Sequence, residues 1–407
     1  MSALQKTVLK SRLPPVPPST STRSRDGSFK KNRQKDYTPT MWSEYFHEQK
    51  DVKIDEQHTF RVYLSMPPQE RSVPLIVLLH GGGFSALTWS LFVNEITAII
   101  HCQCMAIDLR GHGDTQTINE DDLSAETLAA DVSNVLHAMY PENAPQIMIV
   151  GHSMGGAICV HISHLRLIPT LLGCVVIDVV EGTAMEALAS QGQHISKAFN
   201  TPSNGGMCSL RPQLSLSNCL SFSIRSGQIR NIESAKVSMP GQVVNCQSGL
   251  LATNELPLTV EANESSPPVK FTNPLAISED AELEVDEPTV VPIFKAPTES
   301  VDSKKYRWRI DLAKSEKFWT GWFEGLSQKF LDLPVPKLLL LASIDGLDRT
   351  LTVGQMQGKF QMQVLARCGH AVHEDRPHEV AEVIASYMVR NKFAQPSTDF
   401  VRQMPAC

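Results

Sequence analysis

The run Ile147-Met148-Ile149-Val150-Gly151-His152-Ser153-Met154-Gly155-Gly156 constrains this chain more than any other stretch. It opens as a short apolar strand, passes through Gly-x-Ser-x-Gly, and continues into Ala157-Ile158-Cys159-Val160-His161-Ile162, which reads as a helix. Strand, sharp turn and helix in that order make the setting of a nucleophile elbow. Side chains at Gly151 and Gly155 would collide with neighbouring elements in so tight a turn. Ser153 then stands at the tip with its hydroxyl presented, and the amide of Met154 points into the same space. The competing reading is an ordinary glycine turn carrying a surface serine. It leaves the apolar strand before the turn and the apolar helix after it without a reason.

A chain of 407 residues can hold one large α/β domain or two medium ones. Hydrophobic residues make up 42% and charged residues 20%, enough for a sizeable core. A net charge of −6 argues against nucleic acid as a partner. No stretch approaches the ~20 apolar residues of a membrane span, and the first residues lack the apolar core of a signal peptide. The nine cysteines have no C-x-x-C spacing. Cys159 and Cys174 lie in apolar runs and read as buried thiols, so a reducing, cytoplasmic compartment is expected.

Residues 1–35 carry nine Lys or Arg against one acid and several prolines, so residues 1–40 are expected to be a disordered basic tail. Lys30-Lys31-Asn32-Arg33-Gln34-Lys35 within it is a candidate nuclear signal, though a solvated charge run is the simpler reading. The folded domain is expected over 41–395, with 396–407 as a terminal tail. Phe60–Leu64 reads as an edge strand, and Val73–Leu79 as a central parallel strand delivering His80-Gly81-Gly82-Gly83. Cys104–Ile107 leads to Asp108-Leu109-Arg110-Gly111-His112-Gly113-Asp114, in which His112 reads as a turn histidine with a structural hydrogen bond. Leu123–Tyr140 is a predicted helix with Ser124 as N-cap. Gly173–Ile177, Lys337–Ala342 and Phe360–Leu365 are further strands, and Pro377–Arg390 a closing helix. Strands and helices alternating at this spacing predict a mostly parallel sheet with helices on both faces. Between them, 182–245 is expected to form a lid that is polar over 190–221 and partly helical over 223–243. Residues 246–304 are expected to be a disordered acidic insertion, since 251–302 hold eleven acids against two lysines.

A serine hydroxyl attacks only when a base removes its proton, and in such a fold the order is Ser, acid, His. His370 follows the last strand and a glycine, with His373 as rival in the same loop. His370 and His373 form H-x-x-H, but no further ligands stand at metal spacing. The acid lies at one of two strand ends, Asp178 or the pair Asp345 and Asp348, and periodicity does not choose. The oxyanion donors are expected to be the amides of Met154 and Gly82. The glycine loop is not a phosphate loop, since no Gly-Lys-Ser/Thr follows. Ser153, His370 and two amides complete an acyl-transfer set that needs no cofactor and no metal.

The chain resembles the protein phosphatase methylesterases, which are α/β-hydrolases. The resemblance rests on His80–Gly83, Asp122–Thr127, Gly151–Ala157, Ile177–Met185, Ser226–Asn231, Gly354–Gln361 and Cys368–Asp375. It covers about Trp42 to Phe393 apart from the middle insertion. It implies an α/β-hydrolase fold with a helical lid. It also implies hydrolysis of the methyl ester on the C-terminal leucine of the protein phosphatase 2A catalytic subunit, bound by its tail and active-site face. Asp178 is then the acid, beside Ser153 and His370. The resemblance further implies that the triad is rearranged on phosphatase binding, so the isolated protein is expected to show Ser153 and His370 disengaged. Two departures are a polar 190–221, with Cys208 and Cys219, and an acidic stretch diluted by prolines and apolar residues. Two other readings use the same residues. A lipase or small-molecule esterase predicts a deep apolar acyl pocket. A phosphatase-binding module makes binding itself the regulatory act.

Overall fold

The computed structural model describes residues 36–66, 73–189, 214–256, 305–344 and 346–397. The basic tail through Lys35, Cys208, the stretch 257–304, Asp345 and residues 398–407 lie outside these. Eight strands form the main sheet: β1 (Glu48–Lys53), β2 (Thr59–Leu64), β3 (Leu75–Leu79), β4 (Gln103–Ile107), β5 (Ile147–His152), β6 (Leu171–Ile177), β7 (Lys337–Leu341) and β8 (Gln361–Val364). Their order is β1-β2-β4-β3-β5-β6-β7-β8, antiparallel for the first two pairings and parallel thereafter. The chain has the α/β-hydrolase fold. The central strands are apolar throughout because both faces are covered: β3, β4, β5 and β7 are buried at every position. β1 escaped the sequence reading because Glu-Gln-Lys-Asp-Val-Lys has a single apolar residue, and edge pairing with β2 makes it a strand.

The helices are α1 (Ser90–Ile99), α2 (Ala125–Met139), α3 (Met154–His164), α4 (Glu181–Ala189), α5 (Leu216–Ser226), α6 (Ile232–Ser238), α7 (Glu316–Phe323), α8 (Leu326–Leu331), α9 (Arg349–Met356), α10 (Val372–Asp375) and α11 (Pro377–Arg390). One face of the sheet packs on α2, α3, α7 and α8, the other on α1 and α11. Ser124 caps α2, its Oγ accepting from the Thr127 amide, and Thr127 in turn donates to Asp122. A threonine thus stands three residues after the N-cap, where a capping box has Glu or Gln.

Helices α5 and α6 form a cap with its own small core of Leu216, Cys219, Leu220, Ile229, Met239 and Tyr306 among others. The polar stretch expected to run through 221 therefore becomes helical at Leu216, once Ser215 caps it by accepting from the Asn218 amide. The acidic insertion likewise starts later than 246. Strand Val243–Asn245 pairs antiparallel with Tyr306–Trp308, and Glu255 is buried, taking hydrogen bonds from Asn245, Ser248 and Tyr306 at 2.7–3.1 Å. Its carboxylate is tied into the cap and is not a solvated charge.

The close approach at the elbow allows a direct test. A Cβ on Gly155 would stand 2.4 Å from the Leu79 carbonyl oxygen and 2.6 Å from that of His80. Backbone cannot yield as a side chain can, so Gly155→Ala is expected to destabilise by at least the ~1–3 kcal/mol usual for overpacking, or to prevent folding. Gly321→Ala on α7, where a Cβ meets nothing within 4 Å, is expected to be neutral or stabilising by ~0.5–1 kcal/mol. Equal denaturation midpoints for the two variants would refute the close approach.

Candidate active site

Ser153 joins β5 to α3 with φ 52° and ψ −119°. This backbone state costs an ordinary residue about 1–3 kcal/mol. It holds because both sides of the turn are pinned: the Ser153 amide donates to the Ile177 carbonyl at 2.9 Å, and a Cβ on Gly151 would lie 2.2 Å from the Gly155 carbonyl oxygen. Ser153 is 1% exposed, and its Oγ has no hydrogen-bond partner among the described residues.

Asp178 follows β6 with φ 53° and is tied to the end of β7, its amide donating to the Leu340 carbonyl at 2.8 Å. Its Oδ1 accepts from the Ala342 amide at 2.9 Å, and its Oδ2 meets His370 Nδ1 at 2.8 Å. Burial pushes the carboxyl up, but the hydrogen bond and charge of His370 and the Ala342 amide outweigh it and hold Asp178 below the ordinary range. The carboxylate fixes Nδ1 as the protonated nitrogen, leaving Nε2 to act as base. Of the competing acids, Asp348 is occupied elsewhere: it caps α9 through the Leu351 amide and accepts from Ser327 Oγ. The structure thus brings Asp178 and His370 together, while the Ser153–His370 hydrogen bond is not made.

The glycine loop is held by uncharged histidines. His80 Nδ1–H donates to the Gly81 carbonyl at 2.8 Å, and its Nε2 accepts from the Leu109 amide at 3.0 Å. His112 Nδ1–H donates to the Arg110 carbonyl, and its Nε2 accepts from the Gly83 amide at 3.0 Å. Each ring bonds through both nitrogens in one tautomer and has no place for a second proton. Burial accordingly depresses His80 well below the usual range and His112 to about 4. Asp108, buried and pushed up to about 7 by that burial, completes the brace by accepting from the Ala86 and Asp114 amides. One consequence bears on the oxyanion donors. The Gly83 amide is engaged by His112, whereas a Cβ on Gly82 would lie 3.9 Å from Met154 Sδ. Gly82 and Met154 therefore adjoin, and Met154, as first residue of α3, has no intrahelical acceptor for its amide.

His373 does not rival His370. It is fully buried, its ring 4.2 Å from that of Trp89 and 4.5 Å from that of His152, and burial depresses it to about 3. His152, inside the Gly-x-Ser-x-Gly motif, was not singled out in sequence. Its Nε2–H donates to the His370 main-chain carbonyl at 2.8 Å and so fixes that residue's backbone. The signal was there in the motif, but only the fold reveals the partner, which lies 218 residues away. Among the described residues no group of three or more His, Cys, Asp or Glu is placed to share a metal ion, and no helix is long and apolar enough to cross a membrane. Beside the site, Leu312 lies over Gly82 and Gly83. Its neighbours Asp311 and Lys314 line a cleft of about 1050 Å³ that also presents Arg307, Glu120, Asp122 and Lys317.

Residues 76–383 match the model of the alpha/beta hydrolase family. The chain is 45% identical to protein phosphatase methylesterase 1 of Homo sapiens, with all of both chains covered. It is 36% identical to the probable protein phosphatase methylesterase 1 of Caenorhabditis elegans, covering 99% of this chain and 89% of that one. Among solved structures it resembles an esterase of M. tuberculosis (TM-score 0.53, 18% identity, 84% of this chain and 92% of that one). It also resembles E-2-(acetamidomethylene)succinate hydrolase (TM-score 0.54, 15% identity, 84% and 99%). At such identities the structures speak for the fold alone.

The histidines set the acid limb of stability. His80, His112, His152 and His373 are all depressed by burial, so the unfolded chain binds protons near pH 6.5 that the fold refuses. Glu374 and Asp108 act in the opposite sense, since burial raises them to about 8 and about 7 and keeps them protonated in the fold. The depressed rings outnumber the raised carboxyls, so on balance unfolding takes up protons at acid pH. Stability is expected to fall as pH drops from 6.5 towards 4. Denaturation midpoints at pH 7.5, 6 and 5 measure this, and constant midpoints would contradict it.

Proposed function

The chain belongs to the protein phosphatase methylesterases, carboxylic-ester hydrolases of the α/β-hydrolase fold, and from this we propose that it demethylates the C-terminal leucine of the protein phosphatase 2A catalytic subunit. The observation that carries the chemistry is the 2.8 Å Asp178–His370 hydrogen bond at the strand ends beside the strained Ser153 turn.

Ser153 Oγ attacks the ester carbonyl carbon while His370 Nε2 takes its proton. The tetrahedral oxyanion is received by the amides of Gly82 and Met154, each such donor being worth roughly 3 kcal/mol in the transition state. As the carbonyl re-forms, the C–O bond to methoxide breaks and His370 returns the proton, releasing methanol. Water, deprotonated by His370, then attacks the acyl-enzyme, freeing the leucine carboxylate and Ser153. Asp178 stays ionised and stabilises the imidazolium in both halves. The open Ser153–imidazole contact fits a site that closes only when substrate arrives, since such bonds are often unmade in the free enzyme.

The test is methanol release from the carboxymethylated phosphatase. Wild type is expected to demethylate it, with Ser153→Ala and His370→Ala slower by ~10³-fold or more while still binding. Wild type that leaves the methyl ester intact but cleaves aryl esters would refute the substrate. Undiminished demethylation by Ser153→Ala would refute the nucleophile.

A further inference from the structure

Two carboxyl groups that the proposed chemistry does not use lie just beyond His370, and both are buried. Asp375 ends α10 with its side chain 2% exposed. Its Oδ2 accepts from the Gly369 amide at 2.6 Å and its Oδ1 from the Arg230 amide at 2.6 Å. The Arg230 guanidinium stands 3.9 Å away and is half exposed, so it adds little. Glu374 is fully buried and accepts from Ser234 Oγ at 3.0 Å. Burial lifts it to about 8, against the Ser238 and Ser234 hydroxyls beside it, so it enters the core uncharged.

These partners belong to two parts of the fold. Gly369 is the residue before His370. Arg230 lies in the Gly227–Asn231 connection between α5 and α6, and Ser234 is on α6 itself. The two segments also touch directly: a Cβ on Gly369 would stand 3.4 Å from Arg230 Nε and 3.4 Å from the Gly227 carbonyl oxygen. A buried carboxylate is costly unless donors surround it. Asp375 meets that need with two backbone amides, one on the cap and one on the histidine loop. Short charge-assisted bonds of this kind are about twice as strong as neutral ones. His370 is thus held at three points: Asp178 on its imidazole, His152 on its carbonyl, and Asp375 on the amide just before it.

We propose that Asp375, with Glu374 beside it, is a positioning clamp that holds the backbone at His370 in place by tying the histidine loop to the cap. The clamp touches neither substrate nor reacting atoms. It acts through geometry, and a displacement of about 1 Å at a catalytic group is enough to lose ~10²-fold in rate. The inference rests on the proposed role of His370 as base, and it accounts for why Ser226–Asn231 and Cys368–Asp375 are the stretches that meet here.

Asp375→Asn in the full chain is the test. The new amide keeps one acceptor and turns a donor towards one of the two backbone N–H groups. On a soluble aryl ester, with rates normalised to active sites titrated by a fluorophosphonate, kcat is expected to fall ~10–100-fold with KM little changed. A merely structural role would lower the titrated fraction and leave kcat per site intact. In histidine-¹⁵N-labelled protein, the His370 ring signals, assigned with His370→Ala, are expected to shift or split while those of His112 stay in place. Wild-type kcat per site together with unmoved His370 signals would overturn the clamp. If wild type cleaves no ester, the proposed function fails, and the spectroscopic arm still decides the clamp. Should Asp375→Asn not fold, Ser234→Ala loosens the second tie. It is expected to lower kcat several-fold and move the same signals, and no change in either would overturn the proposal.

Discussion

Everything in the site depends on the backbone contact at Gly151 and Gly155. Without side chains there, β5 and α3 close to van der Waals distance, and Ser153 is forced to positive φ at the point where the chain reverses. The strain is local, but the sheet stabilises it. The Ser153 amide is bonded to the end of β6, and the carbonyls of Leu79 and His80 crowd Gly155 from β3. The Ser153 turn is therefore set against the ends of β3 and β6 by one packing constraint.

Around it the protein builds with neutral imidazole. Rings with a donor nitrogen and an acceptor nitrogen can bridge two backbone segments without carrying charge into the core. His80 and His112 do this for the glycine loop, while His152 uses one nitrogen, donating Nε2–H to the His370 carbonyl. Burial keeps these rings neutral. His370 differs because it faces Asp178, whose carboxylate can stabilise a proton on the ring. One residue type serves as a backbone brace and, at His370, as the partner of a buried carboxylate.

Sequence and structure agree best where the physics is repetitive. Central parallel strands must be apolar on both faces, so β3, β5 and β7 were legible as uninterrupted runs ending in His80, the elbow and Ala342. The edge strand β1 was not, because its pairing with β2 does not depend on side-chain pattern. The cap was only partly legible. Its core draws single residues from Leu216 to Tyr306, and in α5 the helically spaced Leu216, Cys219, Leu220 and Ile224 are interleaved with serines and an asparagine that read as loop. Glu255 looked like part of an acidic solvated loop because its partners Asn245 and Tyr306 lie on a separate strand pair.

By itself the sequence determined the α/β architecture, the elbow at Ser153, the glycine loop and the neighbourhood of His370. Each is a local matter of hydrophobic pattern, glycine placement and chain order. Strand spacing left the carboxylates open and the family resemblance pointed to Asp178; the tertiary structure puts Asp178 on the His370 ring. Asp178 directly follows β6 and meets the imidazole, whereas Asp348 lies well past Leu341, the end of β7, and caps α9. The tertiary structure also decided that Gly83 bonds to His112 and that Asp375 bonds to the cap. Those pairings join residues 29 and 145 positions apart, and no local propensity encodes a contact at such separation.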